Sequence, residues 1–203
     1  MLITIITPTW QRRETLLERC IPSVFKQTWP EIEHIVVSDG PDRELAELIA
    51  DELWKRPLRK RLLFKQLPDH PAGDVDYGSR ARNHGLKYAS GELIGYLDDD
   101  NAWRPDHLEQ LAEACRDVDF AYSQMIRHPA GDIIGDSPPK YGQIDTSLII
   151  HKRGLPERAG MWPLPHQIKY DKHAPDWGAV ERWLAAGATW AHVPSVTVDY
   201  YQQ

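Results

Sequence analysis

Three adjacent carboxylates, Asp98-Asp99-Asp100, follow the apolar run 92–97. Neighbouring carboxylates repel one another, and burying them at a strand end is costly unless a cation is present. A hard divalent ion, Mn²⁺ or Mg²⁺, removes that cost with one or two carboxylate oxygens and leaves its other positions to water and phosphate. Without a cation the triplet reads as an exposed acidic turn before the next helix. Asp39, in Asp39-Gly40-Pro41-Asp42, could accept hydrogen bonds from a ribose or a base N–H; the same four residues are also a turn signal. Arg80, Arg82 and Asn83 stand near the start of a helix. Two guanidiniums at a positive helix end suit a pyrophosphate, and the bland alternative is a solvated basic face paired with Asp74 and Asp76. Further on, Asp171, Asp176 and Glu181 surround the start of the last helix, as caps or as a general base for a hydroxyl. Trp162, Trp177 and Trp183 flank them, and suit either a sugar platform or a core. His151 and His173 could assist metal or phosphate binding, or serve only the structure.

The elements that must position these groups alternate between strand and helix. Residues 2–6 are β-branched and apolar and end at Thr7-Pro8-Thr9; 32–38, 61–67, 92–97 and 119–125 continue the series of strands. Helices are expected over 13–27 with Pro22 as a kink or restart, over 43–55 and 79–89, and from Pro105 to about residue 116. This alternation implies an α/β fold with a mostly parallel central sheet and helices on both faces. Ligands of such sheets bind at the carboxyl ends of the strands, where Thr7-Pro8-Thr9, Asp39 and Asp98–Asp100 would converge. Beyond residue 125 the pattern changes: 129–142 is turn-rich, 146–150 is a short strand, and 154–175 is irregular. A helix over 176–186 and strand candidates 189–193 and 196–200 close the chain.

Composition narrows the function classes. The 203 residues carry a net charge of −6 with no run of one sign, so a basic face for nucleic acid is not expected. The two cysteines, Cys20 and Cys115, suggest neither zinc nor a disulfide framework, which favours a reducing compartment. No apolar run approaches the roughly 18 residues of a membrane span, and the N-terminus lacks the features of a signal peptide. A soluble, cytoplasmic protein is expected. There is no P-loop and no Gly-x-Gly-x-x-Gly after the first strand, which removes the main support for an ATPase or a classical NAD enzyme.

Six segments in order carry a resemblance: Ile5-Ile6-Thr7-Pro8-Thr9 with Arg12 or Arg13 behind it, Val36-Val37-Ser38-Asp39-Gly40, Ala81-Arg82-Asn83-His84-Gly85-Leu86, Ala89-Ser90-Gly91-Glu92, Tyr96-Leu97-Asp98-Asp99-Asp100-Asn101 and Trp103-Arg104-Pro105-Asp106-His107-Leu108. Together they resemble the family 2 glycosyltransferases of GT-A fold, closely over about residues 3–110 and more loosely at Pro175-Asp176-Trp177. The resemblance implies metal-dependent, inverting transfer of a sugar from a nucleotide diphosphate donor to a hydroxyl on a glycan, lipid-linked or small-molecule acceptor. It implies that Thr7, Pro8 and Thr9 line the nucleoside site and that Asp39 contacts the base, with uracil expected. Arg82 joins the nucleotide-binding set, Asp98 and Asp99 face the ribose and the metal shell, and Asp100 is the direct Mn²⁺ or Mg²⁺ ligand. Asp176 matches the catalytic base, although Pro175 replaces the usual Glu and leaves Asp171 or Glu181 as substitutes. Residues 1–125 would form the donor subdomain and 126–203 a small acceptor subdomain of one unit, completed if necessary by a partner or a homodimer. Ala179 stands where processive synthases carry Gln before Arg182-Trp183, so transfer is expected to be non-processive. Two other readings compete: a sugar nucleotidyltransferase, which lacks its Gly-rich basic loop here, and a non-catalytic Trp-rich carbohydrate-binding or inactive relative.

Overall fold

The computed structural model describes residues 1–53, 59–70, 76–168 and 174–201. Strands β1 (Ile3–Thr9), β2 (Ile32–Ser38), β3 (Lys60–Gln66) and β4 (Leu93–Tyr96) are mutually parallel, with β1 between β2 and β4. β1 and β2 are covered on both faces, which explains their runs of Ile and Val. The polar residues within them are satisfied locally: the Thr4 hydroxyl donates to Glu33 at 2.7 Å, Glu33 also accepts from the Ser90 N–H and hydroxyl, and Thr7 lies 2.9 Å from His34 Nε2.

Beyond β4 the sheet becomes mixed. β8 (Ile149–Lys152) runs antiparallel between β4 and β6 (Phe120–His128). The small strand β7 (Asp132–Ile134) folds back on β6. β9 (Trp190–Tyr201) pairs parallel with β6 and antiparallel with β5 (Ala102–Trp103). One sheet therefore runs through both parts of the chain, and residue 125 lies inside β6. The two short strands expected near the C-terminus are one strand. Pro194 falls where the β6–β9 register slips, between His192 opposite Tyr122 and Val196 opposite Gln124, so its missing N–H breaks no regular ladder.

The helix expected over 13–27 consists of α1 (Arg13–Thr15), a π-helical turn Leu16–Cys20 and α2 (Ile21–Phe25). Pro22 lacks an N–H and cannot follow an unbroken α-helix; the Ile21 N–H instead reaches back five residues to the Leu16 carbonyl. α3 (Arg43–Leu53) connects β2 with β3. In α4 (Ser79–Leu86) Ala81 and Gly85 bring the helix close against β1, since a Cβ on Gly85 would stand 2.7 Å from Ile6 Cγ2. α5 is His107–Ala114, so Pro105 lies just outside it and Asp106 occupies the position before its first residue. α6 (Leu155–Ala159) occupies part of the stretch read as irregular, and α7 (Pro175–Ala185) starts with its proline in the first turn.

Trp162 and Trp183 are core residues, 1% and 0% exposed, with ring centroids 6.2 Å apart. Tyr96 packs edge-on against Trp162, and His151 packs against Trp183. Two of the three tryptophans expected near the base are therefore packing residues and offer no platform to a sugar. His151 belongs to the same core. Its Nδ1–H donates to the Lys152 carbonyl and its Nε2 lies 2.8 Å from the Tyr96 hydroxyl, while burial pushes its pKa down to about 4. A neutral histidine with both nitrogens engaged has neither a lone pair for a metal nor an N–H for a phosphate.

Candidate active site

A cavity of about 590 Å³ opens at the carboxyl edge of β1, β2 and β4. At its β1–β2 corner the Asp39 N–H donates to the Thr9 carbonyl, which extends the ladder by one step. The chain then turns at Gly40 with φ of +139°, beneath Trp10; a Cβ there would meet the indole at 2.7 Å. Trp10 stacks on His70 at 4.2 Å and 7° between planes, and His70 Nδ1 lies 3.1 Å from Asp39 Oδ2. Burial raises the Asp39 pKa, the Asp76 charge adds to it, and His70 opposes it. The other carboxylate oxygen, Oδ1, is buried without a protein partner.

The loop before α4 supplies the next wall. Asp76 accepts from the N–H groups of Gly78 and Arg80 and so caps the helix. Gly78, at φ +79°, passes beneath Pro8. Arg82 points inward from α4, its side chain only 4% exposed. Its guanidinium donates to the Tyr77 carbonyl at 2.5 Å and to Asp98 Oδ1 at 2.6 Å, and lies 5.1 Å from the Trp162 ring. Its Nε is buried without a partner. The other two candidates on this helix go elsewhere: Arg80 pairs with Asp69, and the Asn83 amide clamps the Trp162 backbone in both directions.

The acidic turn lies between these walls. Arg12 Nη1 donates to Asp100 Oδ2 at 2.5 Å and stands 3.5 Å from Asp99 Oδ1, while Arg19 holds the Asp100 carbonyl at 2.7 Å. Arg13 pairs instead with Asp42 and Glu44. Burial pushes the Asp99 pKa up to about 7, with a contribution from Asp100, and raises Asp100 as well. Opposite are Asp145 and Asp176. Asp145 caps a short 3₁₀ turn, Thr146–Leu148, by accepting from the Ser147 N–H at 2.8 Å. Asp176, in the first turn of α7, accepts from the Trp177 N–H at 2.7 Å; burial raises its pKa to about 6.

Pro8, Thr9, Asp39, Arg82, Asp98, Asp99, Asp100 and Asp176 thus all line one cavity. Thr7 does not. It lies two residues deeper in β1, fully buried, with its hydroxyl turned to His34 and Cys20. Glu181 is exposed beside a separate groove formed with Pro163, Gln167 and Arg182. Asp74, Asp171 and His173 lie outside the described residues. Asp145 was not expected. Because β8 is antiparallel, the residues before it fall on the same sheet edge as the residues after β1, β2 and β4. Reading strand ends alone misses it.

Among the described residues, no three His, Cys, Asp or Glu side chains converge to hold a metal unaided. The donor set nevertheless fits Mn²⁺ or Mg²⁺ held by one or two carboxylates and by ligand oxygens. Asp98 and Asp100 both line the cavity, their carboxyls crowd one another, and Arg12 stands against Asp99 and Asp100 as the local positive charge.

Residues 4–168 match the model of glycosyl transferase family 2. The chain belongs to glycosyltransferase family 2. Among its relatives is the uncharacterized glycosyltransferase EpsJ of Bacillus subtilis (strain 168), 38% identical over 114 residues, which are 55% of this chain and 30% of EpsJ. The chain spans about a third of the length of the first curated relatives it matches. Two solved structures share the fold. S. aureus TarS 1-349 in complex with UDP-GlcNAc superposes with a TM-score of 0.72 at 18% identity, over 100% of this chain and 59% of TarS 1-349. Mannosyltransferase PcManGT from Pyrobaculum calidifontis, in complex with GDP-Man and Mn²⁺, gives 0.72 at 19% identity, over 97% of this chain and 56% of PcManGT. This family 2 glycosyltransferase accordingly has the GT-A architecture. Among the described residues no helix is long and apolar enough to cross a membrane.

Proposed function

We propose that this family 2 glycosyltransferase moves a sugar from a uridine diphosphate donor to a hydroxyl acceptor, with inversion, one residue at a time, and with the help of Mn²⁺ or Mg²⁺. The observation that carries this reading is the meeting of Asp39, the acidic turn and Asp176 in one cavity, from three separate elements. TarS with UDP-GlcNAc and PcManGT with GDP-Man and Mn²⁺, two proteins of the same fold, support the donor class and the ion.

Asp39 and its unpartnered oxygen suit a base N–H, beside the Trp10–His70 stack. Pro8 and Thr9 border the same corner, and Arg82 holds Asp98 in place along the ribose and diphosphate. Asp100, with Asp98 and Asp99 around it, would hold the divalent ion, whose charge offsets that of the departing nucleoside diphosphate. Asp176 takes the proton from the acceptor hydroxyl as its oxygen bonds the anomeric carbon and the bond from that carbon to the diphosphate breaks on the opposite face. A pKa of about 6 leaves Asp176 ionised at neutral pH yet basic enough to share a proton in the transition state. Residues 126–203, which contribute Asp176, form the acceptor side in this reading.

Thermal unfolding with UDP, GDP, dTDP and CDP, each with and without Mn²⁺, tests it. UDP with Mn²⁺ should raise the melting temperature, since a ligand at a hundred times its Kd adds about 2.7 kcal/mol. Absence of a shift with every nucleotide overturns the proposal. A shift with another base overturns the choice of uridine.

A further inference from the structure

Two carboxylates that line the cavity have no part in that scheme: Asp76, which caps α4, and Asp145. Asp145 is held from two directions. One oxygen accepts from the Ser147 N–H. The 3₁₀ turn that it caps is itself fastened to the acidic loop, since Ser147 Oγ accepts from the Asp98 N–H and the Asn101 amide, both at 3.3 Å, and the Ser147 carbonyl accepts from Trp103 Nε1 at 2.8 Å. Asp145 is therefore fixed relative to the residues proposed to meet the ribose and the metal. Among the described residues its second oxygen has no hydrogen-bond partner, and Asp145 lines the cavity. The charged groups acting on it are Asp98, Asp176 and Arg82. The guanidinium of Arg82 is already engaged with Asp98 and the Tyr77 carbonyl. Three carboxylates against one committed guanidinium suit hydroxyl groups, which donate hydrogen bonds. They repel a ligand that brings a further carboxylate.

We propose that Asp145 is a specificity-determining residue that accepts hydrogen bonds from hydroxyls of the transferred sugar, between the acidic turn and Asp176, and that it selects a neutral sugar over a uronate. This rests on the nucleotide-sugar reading above. It goes further by naming the class of sugar and the side chain that selects it.

Two variants separate this role from the cap. Asn and Ser both cap helical turns well, so Asp145→Asn and Asp145→Ser keep an acceptor for the Ser147 N–H. Asn replaces one carboxyl oxygen by an NH₂ donor, and Ser cannot reach into the cavity. Titration calorimetry with Mn²⁺ should use UDP, UDP-glucose, UDP-N-acetylglucosamine and UDP-glucuronate as probes, with GDP and GDP-mannose as a second series. The wild type should bind a neutral sugar nucleotide more tightly than UDP-glucuronate. The hydrogen bonds that the Asp145 carboxyl accepts from the sugar are lost in Asp145→Ser. The affinity of the sugar nucleotide relative to its own nucleoside diphosphate should then fall about tenfold to a hundredfold. Affinity for the diphosphate itself should not change. An unchanged ratio, a parallel loss of diphosphate binding, or a wild-type preference for UDP-glucuronate would each overturn the assignment. Failure of the wild type to bind any of these nucleotides overturns the donor reading itself, and this inference with it.

Discussion

Replacing Asp176 by Asn should weaken the enzyme and strengthen the protein, and the second effect can be worked from the structure. Burial, with Asp98 adding to it and the Trp177 N–H and Arg82 opposing, moves the Asp176 carboxyl from 3.8 to about 6. In the unfolded chain the group returns to its ordinary value. Between pH 4 and 6 the native state therefore binds more protons than the unfolded state, and ionisation of Asp176 costs stability as pH rises through that window. Two units at 1.36 kcal/mol each come to about 3 kcal/mol, fully felt above pH 7 and absent below pH 4. The Asn side chain still offers an oxygen to the Trp177 N–H, and it gives up a few tenths of a kcal/mol of helix-end attraction. The expected gain is about 2 kcal/mol at pH 8 and near zero at pH 4. Urea unfolding of both proteins at pH 4, 6 and 8 in EDTA measures it, and at a typical slope of about 2 kcal/mol per molar the midpoint moves by about 1 M. His107 and His151, held down to about 3 and 4 by burial, make the whole protein gain stability as pH rises toward 6.5. They are common to both proteins, so the difference isolates Asp176. A gain of equal size at pH 4 and pH 8, or a loss at pH 8, refutes the reasoning. If Asp176 is the base, the same variant loses transfer by about a hundredfold or more while binding of the donor survives, and the wild-type rate falls below pH 6 with the uptake of one proton.

Two further substitutions probe the supports of the site. Arg12, whose side chain is 45% exposed, competes for the same carboxylates as a cation, so Arg12→Ala should tighten binding of Mn²⁺ alone by up to about fivefold, the range of an exposed ion pair. Weaker Mn²⁺ binding, read by titration of the spin signal of free Mn²⁺, would instead make Arg12 a support of the metal site. Gly85→Ala drives a methyl against Ile6 in the interface that aims Arg82, and should lower stability by about 1–3 kcal/mol; a melting temperature equal to the wild type disproves that close contact.

The parts of this architecture that sequence could reach were those with one physical explanation. Ile3, Ile5 and Ile6, and Ile35, Val36 and Val37, stand in strands covered on both faces, and the polar residues that follow such strands have to leave the core. That argument brought Asp39 and the acidic turn to one edge. It went too far at Thr7, because β1 continues three residues beyond its last isoleucine, Ile6. It missed Asp145 because it looked only at the residues that follow strands, whereas antiparallel β8 brings the residues before it to the same edge. The choice of Arg82 over Arg80 was within reach: Ala81, Arg82 and Gly85 share the buried face of α4, and the two small residues mark the side that touches the sheet. The tryptophans and His151 carry no such mark. The same residue types serve a core or a ligand, and only their packing distinguishes the two uses.

The charge balance of the cavity adds a constraint that no single residue expresses. Among the described residues, seven aspartates and two arginines line it, in a chain whose net charge is −6. Both arginines are committed, Arg82 to Asp98 and Arg12 to Asp99 and Asp100. A nucleoside diphosphate brought alone into this space would set its own negative charges against carboxylates whose pKa values are already raised by burial and by one another. The same anion brought with a divalent cation relieves that repulsion and offers the acidic turn the counter-charge that Arg12 supplies in its absence. The electrostatics of the whole cavity thus support the proposed metal dependence of nucleotide binding, whichever of Asp98, Asp99 and Asp100 makes the direct bond. It also explains why the cost of crowding these carboxylates is tolerable. The crowding lies on an edge whose strands are fixed by a core elsewhere, and the ligand that makes use of the site is the one that removes the strain.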